Sequence, residues 1–396
     1  MPIQPIYLDN STTARPSELA ISRMMPLLTD FWGTPSALHQ KGQELSPFLL
    51  DSFKTLYHFL GAQETDQLIF TSSGAEAVNH VIAAIYRDIT LTTGKNHFIT
   101  SCLDEAPAIL AIERLDSLGC VSKMVPANVN GCISVEDLAE TLSPRTALVS
   151  LSWANGLTGV IQPLSEISTL CQERGILLHI DATHVLGRLF YNLEDIGADF
   201  ITFNGDQLHA PKGTGGLYIK QGIKCSPFIV GGAEQGGRRA GSFNVAGLVG
   251  LACAAKEMLD HRDYLCTEIA RLRDRLEAGI QEKIPQVYPL FREQERLPHC
   301  TTLVFPGLVN EALLFYLNRK GICASIGGGS FQQLNLLLSA CKVSNSLAHS
   351  AISFSLSRYT TEEEIEQAIA LIVEAAQCLL KMSQKIHASE LNEVSL

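Results

Sequence analysis

Short apolar runs alternate with amphipathic stretches along most of the chain. Gln67-Leu-Ile-Phe-Thr71 is one such run; Ser72-Ser-Gly74 follows it, and apolar positions then recur at helical spacing over 75–89. Further runs at 97–101, 147–153, 176–180 and 200–203 are each followed by polar residues. This rhythm predicts βαβ units and a largely parallel sheet covered by helices, in which ligands bind beyond the C-terminal ends of the strands. Residues 201–218 read as strand, turn and strand. A long helical pattern over 244–282 acts as a connector. Beyond it, 301–305, 322–325 and 351–357 read as strands. Thr361-Glu-Glu-Glu364 opens a helix running to residue 382, with Thr360 or Thr361 as its cap and the glutamates matched to its N-terminal dipole. The expected organisation is α/β: a large, mostly parallel-sheet domain over 1–255 and a smaller α+β domain over 256–396. The first 15 residues are expected to pack on the smaller domain, and the polar tail from Ser383 is expected to fray.

Composition narrows the function classes. The 396 residues are 46% hydrophobic and 18% charged, as in an ordinary protein with a large core. The formal net charge of −11, without a basic block, argues against nucleic acid or an anionic membrane as partner. No signal-peptide pattern is seen, and no apolar run approaches the roughly 18 residues of a membrane span. Eleven cysteines are scattered without any CxxC pair, which predicts free, buried thiols in a reducing cytoplasm.

Seven segments in order carry a resemblance. They are Tyr7-Leu-Asp-Asn-Ser-Thr-Thr13; Gly33-Thr-Pro-Ser-Ala-Leu-His39 with Gly42-Gln-Glu44; Phe70-Thr-Ser-Ser-Gly-Ala-Glu76; His179-Ile-Asp-Ala-Thr-His184; Asn204 to Lys212; Gly231-Gly232 with Arg239-Ala-Gly-Ser242; and Arg358-Tyr-Thr-Thr-Glu-Glu-Glu364. Together the chain resembles the cysteine desulfurases, enzymes of the class V aminotransferase fold that use pyridoxal phosphate (PLP). The resemblance implies a PLP-dependent transferase fold of type I and a dimer that shares residues across its interface. It places the phosphate loop at Ser73, Gly74 and Ala75, between a strand and a helix N-terminus that favours an anion. It places the partner of the pyridine nitrogen at Asp181. His184 and Asn204 fall on further cofactor contacts, and Ser242 keeps a hydroxyl that the family lends to the neighbouring subunit's phosphate.

The departures are more informative. The imine-forming lysine falls on Gln207, whose carboxamide nitrogen is not nucleophilic. The nucleophilic cysteine falls on Ser330, which cannot carry a sulfane sulfur. The ring-stacking histidine falls on Glu105, and the arginine that clamps the substrate carboxylate falls on Ser353. An asparagine that contacts the cofactor oxygen falls on Gly156. A threonine hydroxyl of the phosphate loop is lost at Ala75. Covalent PLP at Gln207 is chemically impossible. Asp206 weakens noncovalent retention, since like charges at ~4 Å and a dielectric of about 20 cost ~4 kcal/mol. Lys212 matches a second lysine of the family and is no displaced Schiff-base residue.

Three functions stay open at this point. The first is a chain inactive as a desulfurase that acts through dimerisation, as a homodimer or with an active desulfurase, or with an iron–sulfur scaffold. The second is altered chemistry in the same pocket, with noncovalent PLP or pyridoxamine phosphate, or with Glu105, Asp181, His184 and Asp206 acting as an acid–base pair or metal ligands. The third is a genuine desulfurase.

Overall fold

The computed structural model describes residues 5–329 and 331–393. Twelve strands are found among them: β1 (Ile6–Tyr7), β2 (Gln67–Thr71), β3 (His97–Ser101), β4 (Val121–Val125), β5 (Thr146–Ser152), β6 (Leu177–Asp181), β7 (Phe200–Asn204), β8 (Gly215–Ile219), β9 (Tyr288–Pro289), β10 (Cys300–Val304), β11 (Ile322–Cys323) and β12 (Ala351–Ser355). Seven of them form one sheet in the order β2-β8-β7-β6-β5-β3-β4. Every pair is parallel except those made by β8, which runs antiparallel to β2 and β7.

Side chains alternate faces along a strand, so each apolar run feeds two cores at once. Ile69, Phe98, Leu148, Phe200 and Leu217 pack on one face, with Val78 and Val81 of the helix Gly74–Ile85 and Ile112 of the helix Ala106–Arg114. Leu68, Phe70, Ile99, Val149, Ile201 and Phe203 pack on the other. This second core continues through Leu303, Phe354 and Ile365 into the C-terminal half. There β10 lies between β12 and β9 in an antiparallel sheet, with the helices Arg262–Lys283 and Glu362–Glu393 alongside. The chain start joins this half: β1 pairs in parallel with β11, and Leu8 N–H donates to the Cys323 carbonyl at 2.9 Å.

Several predicted elements differ in extent. The helix expected over 75–89 stops at Ile85 and gives way to a π-helical turn, Tyr86–Thr90. That turn presents Asp88 to the backbone N–H (2.7 Å) and hydroxyl (2.6 Å) of Ser226. The pattern over 244–282 is two helices, Val245–Asp260 and Arg262–Lys283, separated at His261. Of 322–325 only Ile322–Cys323 is strand, with Ser325 bridging to Ser353. The tail expected to fray from Ser383 continues as helix to Glu393. The cysteines are less buried than their apolar surroundings predicted: Cys120, Cys171, Cys300 and Cys341 are buried, six are half-buried and Cys378 is exposed. Among the described residues, no helix is long and apolar enough to cross a membrane.

Candidate functional site

The C-terminal ends of β3, β5, β6 and β7 bring together most of the residues singled out from the sequence. At the end of β3, Asp104 is tied down on both sides. It accepts from Thr100 Oγ1 and Ser101 N–H, each at 2.7 Å, and from Ser152 N–H at 2.6 Å. This joins β3 to β5 and fixes the start of the next residue, Glu105. Glu105 Oε1 lies 2.7 Å from His184 Nε2. The buried His184 ring stacks on Phe331, with centroids 5.5 Å apart and planes 25° from parallel. Gly156 makes this possible: a Cβ there would stand 2.5 Å from His184 Nε2 and 2.7 Å from Phe331 Cε1. Among the described residues, His184 Nδ1 is buried without a partner.

Asp181 ends β6. Its Oδ1 accepts from Thr183 N–H at 3.0 Å. Burial, and then the charge of Glu105, push its carboxyl up to about 6, with Thr183 and His184 opposing.

The loop after β7 is tied inward. Asn204 Oδ1 accepts from Gly74 N–H at 3.2 Å, at the N-terminus of the helix Gly74–Ile85. Asn204 Nδ2 donates to Gln207 Oε1 at 2.9 Å and also to Asp206. The buried Gln207 donates through Nε2 to the carbonyls of Ser11 (3.2 Å) and Thr12 (2.9 Å). Asp206 faces the chain start too, where its Oδ2 accepts from Thr13 Oγ1 at 2.9 Å. The largely exposed Lys212 lies 3.7 Å from the same carboxylate and donates to Thr13 Oγ1 at 2.8 Å.

Ser73 caps the helix Gly74–Ile85, its Oγ accepting from Glu76 N–H at 3.1 Å, and Glu76 Oε2 returns to Ser72 N–H at 2.8 Å. The Glu76 carboxylate thus anchors the residue before the cap, and Arg239 holds it at 2.8 and 3.0 Å. Burial alone would raise the Glu76 carboxyl; Arg239 and Ser72 together keep it below its ordinary value. Ala75 is exposed and has no polar side-chain atom, and Ser242 is also exposed. Nearby, Gln235 accepts from Phe70 N–H and donates to the Phe70 carbonyl, each at 2.8 Å.

Ser353 is buried in β12 and donates to the Leu157 carbonyl at 2.7 Å. Thr302 Oγ1 (2.9 Å) and Cys300 Sγ (3.1 Å) donate to the same oxygen. Ser330 lies outside the described residues. Sequence reasoning missed Arg188 and Phe331. Buried Arg188 spans the site floor, donating to the carbonyls of His184 (3.3 Å) and Gln207 (2.5 Å). Its guanidinium is lowered to about 10 by burial. A basic residue within an apolar stretch was the available signal for Arg188; Phe331 follows a glycine run and carried none.

The model of the family described as Aminotransferase class-V matches residues 6–368. The chain belongs to that family. Among class V relatives, "Cysteine desulfurase" of Trichormus azollae is 36% identical over 383 residues, covering 96% of this chain and 94% of that protein. "Cysteine desulfurase NifS" of Azotobacter vinelandii is 34% identical over 369 residues, covering 92% and 90%. A solved structure named "NIFS-LIKE PROTEIN" superposes with a TM-score of 0.87 at 26% identity, over 94% of this chain and 99% of that one.

Class V enzymes of this kind depend on PLP. The residues present here do not fit it. Gln207 offers no nucleophile, and both ends of its carboxamide are engaged within the chain. Asn204 occupies the Gly74 amide at the helix start. Glu105 is paired with His184 and presents no aromatic face. Among the described residues, no three His, Cys, Asp or Glu side chains converge as a metal-ligand set.

Proposed function

We propose that this chain keeps the class V scaffold without desulfurase chemistry and acts through association, as a homodimer or with an active desulfurase, in sulfur or iron–sulfur metabolism. One observation carries the proposal: the residue at the lysine position is a carboxamide hydrogen-bonded to Asn204, Ser11 and Thr12. Ser353 adds support, because at the position of the carboxylate-binding arginine it is spent on a backbone carbonyl.

The test is sulfide release from cysteine by the purified chain with added PLP and a thiol reductant. No release above a protein-free control is expected, and a copurifying desulfurase or scaffold chain is expected from the source cell. Catalytic sulfide release overturns the proposal. A second reading, acid–base work in the same pocket, is favoured by the 2.7 Å Glu105–His184 pair beside Asp181. It predicts a turnover lost in His184→Gln with the fold intact.

A further inference from the structure

The substitutions in the pocket are not independent of one another. Glu105, Gly156 and His184 each stand where the resemblance places a cofactor contact, and they touch. His184 needs Gly156, because a methyl group at 156 would sit 2.5 Å from Nε2, well inside van der Waals contact. Its Nε2 is held by Glu105 at 2.7 Å, and its other face is covered by Phe331. Restoring a side chain at 156 alone would collide with both rings. A second set, Asn204 with Gln207, uses its amide groups to close the helix start at Gly74 and to hold the chain start at Ser11 and Thr12.

We infer that these residues form an interlocked plug: the chain's own side chains fill the place of PLP, and the protein folds and persists without the cofactor. This rests on the proposed loss of desulfurase chemistry and goes further, since a chain without an imine lysine can still retain PLP noncovalently. The plug has two parts. Glu105, His184 and Phe331 interlock over Gly156. Asn204 and Gln207 replace a bound anion and a covalent link with internal hydrogen bonds. In a close-packed interior such parts change together, because a change of one methyl group is felt by its neighbours.

Two measurements test it. The purified protein is incubated with 1 mM PLP, desalted and scanned, and its melting temperature is compared with and without PLP. No retained band at roughly 330–420 nm and an unchanged Tm are expected. A retained band with a raised Tm overturns the plug, and does so even when no sulfide is released, which separates its failure from that of the proposed function. The interlock is tested by a thermal-melt cycle. Gly156→Ala alone is expected to lower Tm by several degrees. In a His184→Ala background the same substitution is expected to cost less than half as much, because Phe331 then has room to withdraw. Equal costs in the two backgrounds overturn the interlock. If Gly156→Ala alone does not fold, recovery of folding in the double variant supports the interlock, and failure of the double variant to recover overturns it.

Discussion

Asp181 is where a single side chain reports on the pocket. Its carboxyl is raised to about 6 by burial and by Glu105, against an ordinary value of about 3.9 in an unfolded chain. The folded state therefore binds this proton more tightly. The resulting stabilisation is full below pH ~4 and is lost as pH rises through about 6. Asp181→Asn removes that loss. It is expected to stabilise the protein by about 1–3 kcal/mol at pH 7.5 and by nothing at pH 4, measured as the Tm difference from the unsubstituted chain across pH. At this scale the sequence was legible for the residue identities on which the proposed loss of desulfurase chemistry rests, Gln207, Glu105 and Ser353. How these residues are held was not legible, because the partners of Gln207 are Ser11 and Thr12, almost two hundred residues away, and the contact of His184 with Gly156 depends on two strand ends meeting.

At the scale of elements, local signals were read and distant ones were not. Thr361 and Glu364 exchange hydrogen bonds at 3.0 and 3.2 Å across the start of the last helix, a reciprocal cap written within four residues. The π-helical turn after Ile85 was invisible, because its buried Asp88 serves Ser226 and Lys224, which lie far along the chain. The same distance hid the joint at the Leu157 carbonyl, where β10 and β12 contribute three donors to one loop oxygen. Ser353→Ala leaves two of those donors and is expected to cost about 1 kcal/mol in urea unfolding. Ser353→Arg is expected to cost more than about 3 kcal/mol or to prevent folding, since Ser353 is buried and a guanidinium there would be taken out of water.

For the whole molecule, the alternation of apolar runs was enough to give the parallel sheet and its covering helices. Strand order, and the antiparallel insertion of β8 between β2 and β7, required the tertiary structure. The surface exposes large apolar side chains on one face of the helix Glu18–Thr29: Ile21, Met25 and Leu28. Such a face suits the proposed association. Met25→Asp combined with Leu28→Asp is expected to shift the sedimentation of the purified protein toward the monomer while leaving its circular dichroism unchanged. Gln235 has a different consequence for how copies of this chain meet. By bonding both backbone groups of Phe70 it acts as a one-residue stand-in for a missing strand on the open edge of β2. Gln235→Ala would uncover a ready template for foreign strands, and the variant is expected to form thioflavin-positive aggregates at concentrations where the parent stays clear.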